Sequence, residues 1–150
     1  MSNKPSRILI ALALGAACAP WLGAQTKTIG DKGCRVTVPA DWTPLGPRSA
    51  QAPGAKTFTA VVRSVDPDDY KMTLSMIKQG QVASVNPKIL DENGKRVLIQ
   101  TEMKSAGGRT VTHYQVMTKT SPGCQGSADF DDPALAGAAR KIVESTTGAQ

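Results

Sequence analysis

The residues that could do chemistry are few and widely spaced. His113 is the only histidine, set in Thr112-His113-Tyr114-Gln115. A general base needs a nucleophile and an orienting acid beside it, which sequence alone does not place there; the plainer reading is a solvated or hydrogen-bonded strand histidine. Two acidic groups, Asp66/Asp68/Asp69 and Asp129/Asp131/Asp132, carry oxygens suited to calcium. Neither follows the calcium-loop pattern of a central glycine and a terminal glutamate, and a turn and a helix cap account for both. Zinc would call for several Cys and His close together, whereas Cys34 and Cys124 lie at opposite ends of the chain. Gly107-Gly108 suits a turn, and Gly30 to Gly33 precedes a strand pattern, so neither cradles phosphate at a helix start. Gly-x-Ser-x-Gly, Ser-x-x-Lys and His-Glu-x-x-His patterns are absent from the sequence. No catalytic, cofactor-binding or metal-binding set is assigned, and no cofactor is expected. An enzyme with an unconventional site would use His113, Tyr114 or the Asp66–Asp69 turn, which would have to converge in one concave pocket.

The remaining reactive groups are the cysteines, and their meaning depends on the N-terminus. Lys4 and Arg7 precede an uncharged run from Ile8 to Ala19, and small residues follow to Gly23-Ala24. This is the layout of a secretory signal peptide over 1–24; the run is short for a membrane span of ~20 residues. Gly15-Ala16-Ala17-Cys18 offers the alternative of a lipoprotein anchored through Cys18. Without 1–24 the basic excess falls from +6 to +4 as Lys4 and Arg7 leave. The remaining charges are scattered, without the basic stripe and interleaved aromatics of a nucleic-acid binder. Cys34 and Cys124 then form an even pair in an oxidising compartment, which points to a disulfide; two free thiols are the alternative.

These residues need elements to hold them. Gln25 to Gly33 reads as a polar, flexible leader. Cys34, Val36 and Val38 alternate with Arg35 and Thr37 as a half-buried strand ended by Pro39. Trp42 suits a core plug, with ligand stacking as the alternative. Thr43 to Ala55, with Pro44, Pro47 and Pro53, reads as a loop, long enough to be mobile or functional. Phe58, Ala60 and Val62 share one face of a strand over Lys56–Val65. Tyr70, Met72, Leu74 and Met76 share a face over Tyr70–Lys78, and the Asp66–Asp69 turn makes the two strands a hairpin. Over 79–95 the reading leans to a short helical turn at Lys88–Glu92, with a hairpin through Asn93-Gly94 as the alternative. Arg96–Lys104 and Arg109–Lys119 form a hairpin around Ser105–Gly108, and a last strand carries Cys124 to Phe130. Asp132 is an N-cap with Pro133 at the first helical position. Leu135, Ala138, Ala139, Ile142 and Val143 then recur at helical spacing. The expectation is an α+β domain over 34–147: an antiparallel sheet of five to six strands with a C-terminal helix packed on it, and a 148–150 tail.

Val38-Pro39-Ala40-Asp41-Trp42 after the first strand, and Asp129-Phe130-Asp131-Asp132-Pro133 leading to Ile142-Val143-Glu144-Ser145, resemble the two ends of PsbP-like proteins. That superfamily includes a nuclear-import Ran-binding factor and bacterial secreted members. The resemblance implies an antiparallel sheet between helices and a non-catalytic accessory or binding role, and transfers no catalytic residue. The chain departs from it in showing no clear second long helix, and the cysteine pair is no hallmark of that superfamily; a cystatin-like α+β fold is the alternative. The functional expectation is a secreted or periplasmic binding module. Its partner is an unknown protein, small ligand or envelope component, with no nucleic acid and no transmembrane segment after processing. Trp42, Arg48, His113 and Tyr114 are the candidate surface, and an inhibitor presenting the 43–55 loop is a further alternative.

Overall fold

A computed structural model describes residues 25–55 and 57–148; the signal-peptide and Cys18 readings fall outside them. Among the described residues nine strands make two antiparallel sheets. The hairpin β1 (Thr26–Asp31) and β2 (Cys34–Pro39) turns at Lys32-Gly33, both at positive φ. The stretch expected as a flexible leader is therefore a strand. Ile29 is buried, and the β1 backbone pairs with β2 along its whole length, so the polar side chains of Thr26 to Thr28 did not report its order.

The larger sheet runs β3 (Thr43–Gly46), β4 (Ser49–Gln51), β5 (Thr59–Val65), β9 (Gly123–Phe130), β8 (Thr110–Thr118), β7 (Arg96–Lys104) and β6 (Lys88–Glu92). The expected count of five to six strands is exceeded because a segment read as a loop and one read as a helical turn are both extended. The 43–55 loop forms the β3–β4 hairpin, with a bulge between Pro44 and Gly46. Lys88–Glu92 is β6, paired with β7 around Asn93-Gly94 and bulged between Ile89 and Asp91. The Asn93 side-chain oxygen accepts from the Lys95 and Arg96 amides at 2.9 and 3.0 Å, so Asn93 closes the turn and the helical alternative is set aside.

The larger correction lies at α1 (Pro67–Lys78), where a strand was expected. Asp66 accepts from the Asp68 amide while the Asp69 carboxylate accepts from the Asp66 amide, a reciprocal cap with Pro67 at the first helical position. Tyr70, Leu74 and Ile77, spaced for one helical face, pack with Val97, Ile99 and Met117. Topology requires such a crossing: β5 pairs with β9, while the next strand, β6, begins at the far side of the sheet. The chain traverses one face through α1 and a 3-10 turn, Ala83–Val85.

The opposite face carries the main core. Ala60, Val62, Leu98, Val116 and Ala128 meet Ile142 and Val143 of α2 (Ala136–Glu144) and Val36 and Val38 of the small hairpin. Asp132 caps the 3-10 turn Pro133–Leu135 that leads into α2, accepting from the Ala134 amide at 2.9 Å. A Cys34–Cys124 disulfide with a Cα separation of 5.5 Å joins the hairpin to the centre of the sheet. Arg35 and Thr147 exchange backbone hydrogen bonds of 2.8 and 2.9 Å, so the end of the helical segment is tied to the same hairpin. Gly126 lies beneath this junction. A Cβ built there would come within 2.0 Å of the Thr146 hydroxyl and 2.8 Å of a Val36 methyl.

Candidate functional site

The four expected surface residues lie in different places, and strand alternation parts His113 from Tyr114. Trp42 is 4% exposed, its ring edge-on to Phe58 with centroids 4.6 Å apart: it is the core plug. Tyr114 is buried on the same face, edge-on to Phe130 at 5.1 Å. Arg48 is exposed at the tip of the β3–β4 hairpin, where its carbonyl accepts from the Val62 amide. His113, adjacent to Tyr114, faces the other way. Its Nδ1 lies 2.6 Å from Asp129 Oδ1 across the β8–β9 pair, and its Nε2 lies 3.4 Å from the Gln115 side-chain oxygen. The imidazole thus has an orienting carboxylate, but an amide oxygen, not a nucleophile, stands at its other nitrogen. The groups of the enzyme alternative are dispersed: Tyr114 is on the core face, and Asp66 and Asp69 cap α1.

A concave feature that joins apolar and polar side chains lies on the α1 side. Because α1 covers only one end of that sheet face, a groove of about 380 Å³ runs between helix and sheet. Met72, Thr73, Met76 and Ile77 form its helical wall, and Val82, Val85 and Pro87 close the side after the helix. Met72 is 57% exposed, a position that only a covering ligand or partner would desolvate. The floor comes from four successive strands: Arg63 on β5, Gln125 on β9, Gln115 and Met117 on β8, and Ile99 and Thr101 on β7. Apolar walls over a short row of polar groups are the usual composition of a small-molecule site, and the volume falls in the lower part of the ~300–1,000 Å³ range.

Arg63 and Gln125 are cross-strand neighbours. The guanidinium donates from Nε and Nη2 to the Gln125 side-chain oxygen, at 3.0 and 2.7 Å. Among the described residues no carboxylate forms an ion pair with Arg63. Gln125 is 7% exposed, and burying an amide in mid-sheet is costly unless it is hydrogen-bonded. Here it holds one cation in place beside the groove. No cluster of His, Cys, Asp and Glu suited to a metal occurs among the described residues, nor a helix long and apolar enough to cross a membrane.

With Phe58, Ala60 and Val62 on one face of the strand, alternation puts Arg63 on the outward face and gives it no role. The signal available was Arg63 and Gln125 as polar outward residues of two strands otherwise rich in small and β-branched side chains. It becomes informative only once β5 and β9 are known to pair and α1 to cross above them. No family model and no curated protein matches this chain.

Proposed function

We propose that this protein is a non-catalytic binding module, exported to a periplasmic or extracellular compartment, that captures its partner in the groove between α1 and the sheet. The observation that carries the reading is the groove itself: an apolar, methionine-bearing wall facing a polar floor with one oriented cation. Methionine side chains are unbranched and polarizable, which suits a surface that accommodates a bound molecule. The export reading is supported by the Cys34–Cys124 disulfide, since such bonds persist in oxidising compartments, together with the signal-like N-terminal sequence. A PsbP-like relationship is part of the proposal. What supports it is a sheet with α1 on one face and α2 on the other, along with the Val38–Trp42 and Ile142–Ser145 phrases.

The test is ligand capture from the compartment's soluble extract, read by native mass spectrometry. Wild type should retain added mass and gain thermal stability, as ligand binding to the native state requires. Thr73→Trp, which fills the groove from a half-exposed helix position, should retain neither. Saturable hydrolytic activity lost on His113→Ala would overturn the non-catalytic reading.

A further inference from the structure

The arrangement of the groove floor carries the argument one step further, resting on the groove as the binding site: we propose that the ligand is a medium-chain aliphatic carboxylic acid, its carboxylate on Arg63 and its chain along the Met72–Met76 wall. A guanidinium has five N–H donors. Gln125 accepts one from Nε and one from Nη2, which leaves three on the end formed by the two terminal nitrogens. That end is the planar fork that takes a carboxylate through two parallel hydrogen bonds. An exposed arginine ordinarily moves through many rotamers. This one is held by an amide that is 7% exposed, so the fork is oriented before a ligand arrives, which lowers the ordering cost of binding.

The charge pattern selects an anion. Asp69 also lines the groove, but its carboxylate accepts from the Asp66 amide at 3.2 Å and belongs to the α1 cap. With that carboxylate engaged in the cap, the Arg63 guanidinium is the groove charge whose remaining donors are open to an anion. Beyond Arg63, the floor offers the side chains of Gln115 and Thr101, and the walls are hydrocarbon and thioether apart from the Thr73 hydroxyl and the Asp69 carboxylate. A molecule matching this sequence of surfaces has a compact anionic head and one flexible apolar arm. The volume of about 380 Å³ suits one chain of moderate length and not a two-chain lipid.

The experiment uses the mature protein labelled with nitrogen-15, titrated with decanoate, decanol and decyltrimethylammonium, with amide shifts followed at Thr101, Gln115 and Gln125. Decanoate should saturate and shift all three, decanol should bind at least about tenfold more weakly, and the cation should shift none. Arg63→Met should weaken decanoate by about tenfold or more while leaving decanol unchanged. Gln125→Leu, which removes the holder and keeps the cation, should weaken decanoate by a smaller factor, with Arg63→Lys recovering part of the affinity lost in Arg63→Met. Thr73→Trp should abolish every shift, and retained dispersion of the β8 and β9 amide signals certifies that each variant is folded.

Equal binding of decanol and decanoate, or indifference of decanoate to Arg63→Met, would overturn the carboxylate assignment while leaving the groove as a binding site. No binding of either compound would overturn the aliphatic ligand class; the groove reading then stands or falls on the extract capture. A final arm separates a free acid from a membrane surface. Co-sedimentation with phosphatidylglycerol vesicles that depends on Arg63, without any decanoate shift, would also overturn the proposal.

Discussion

Substituting Gly126 by alanine tests how closely the two sheets and α2 meet. Gly126 is mid-strand in β9, opposite Val62 on one side and Val116 on the other. Its added methyl group would lie 2.0 Å from the Thr146 hydroxyl oxygen, 2.8 Å from a Val36 methyl and 3.2 Å from the Thr146 Cβ. Thr146 is 5% exposed and donates its hydroxyl to the Val143 carbonyl at the end of α2. It cannot turn away without leaving a buried donor unpaired. Overpacking of this kind costs ~1–3 kcal/mol, and loss of the hydroxyl bond adds ~0.5–1.5 kcal/mol. Against these, alanine restricts the unfolded chain by ~0.4–1 kcal/mol. The central expectation is a loss of about 2–3 kcal/mol, or roughly 10 °C in Tm for a chain of this size.

Urea unfolding followed by Trp42 fluorescence measures the effect, because Trp42 belongs to the same buried cluster. The midpoint should fall at unchanged slope. In the double variant Gly126→Ala/Thr146→Ala the closest clash is gone, so the summed single losses should exceed the measured one by about 1 kcal/mol. A Gly126→Ala protein within about 0.5 kcal/mol of wild type, or strict additivity in the cycle, refutes the proposed packing.

The protein should run two hydrogens lighter than its reduced form in non-reducing mass analysis, and alkylation of Cys34 or Cys124 in the native state would refute the bond. Cys34→Ala/Cys124→Ala opens a cross-link spanning 90 positions and should lose ~4–5 kcal/mol by the chain-entropy argument, read as a lower urea midpoint. Asp66→Ala removes the acceptor for the Asp68 amide and should cost about 1 kcal/mol. Hydrogen exchange should speed up in α1 and leave β8 and β9 unchanged, whereas uniform acceleration would show that α1 does not open separately. Gln125→Leu replaces a buried amide whose partner is an exposed guanidinium, so stability should stay within about 1 kcal/mol of wild type. A larger loss by thermal unfolding would make the amide a structural residue.

The Arg96–Lys119 hairpin and the C-terminal segment were legible because their signals are local: Ser105–Gly108 and Asp132-Pro133 dictate a turn and a cap from adjacent residues. Asn93-Gly94 is as local a signal, but it suits a helix end as well as a hairpin, and the reading leaned to the helix. The first helix was not, although Asp66-Pro67 uses the same start signal as Asp132-Pro133. Tyr70, Met72, Leu74 and Met76 also satisfy a period of two, and a nine-residue stretch can fit both periods. The ambiguity is resolved by what is buried: Tyr70 is 2% exposed and Met72 is 57% exposed, an arrangement that suits a helix and not a strand. Missing α1 also hid the groove, since Arg63 and Gln125 look like ordinary solvated strand residues until something crosses above them. The β1 strand was illegible for another reason: its order comes from pairing with β2 and not from its own side chains.

The two bulges noted in the sheet bear on how the chain behaves at high concentration. An open sheet has two margins whose unpaired amides and carbonyls invite a further strand from another molecule. Here the β3 margin carries Pro44, which offers no amide, and is distorted between Pro44 and Gly46. The β6 margin carries Lys88, Asp91 and Glu92 and is distorted between Ile89 and Asp91, with Glu92 further engaged by Lys78 at 3.1 Å. Both margins are spoiled as templates, so growth of the sheet by recruiting copies of itself ends where the chain's own strands end.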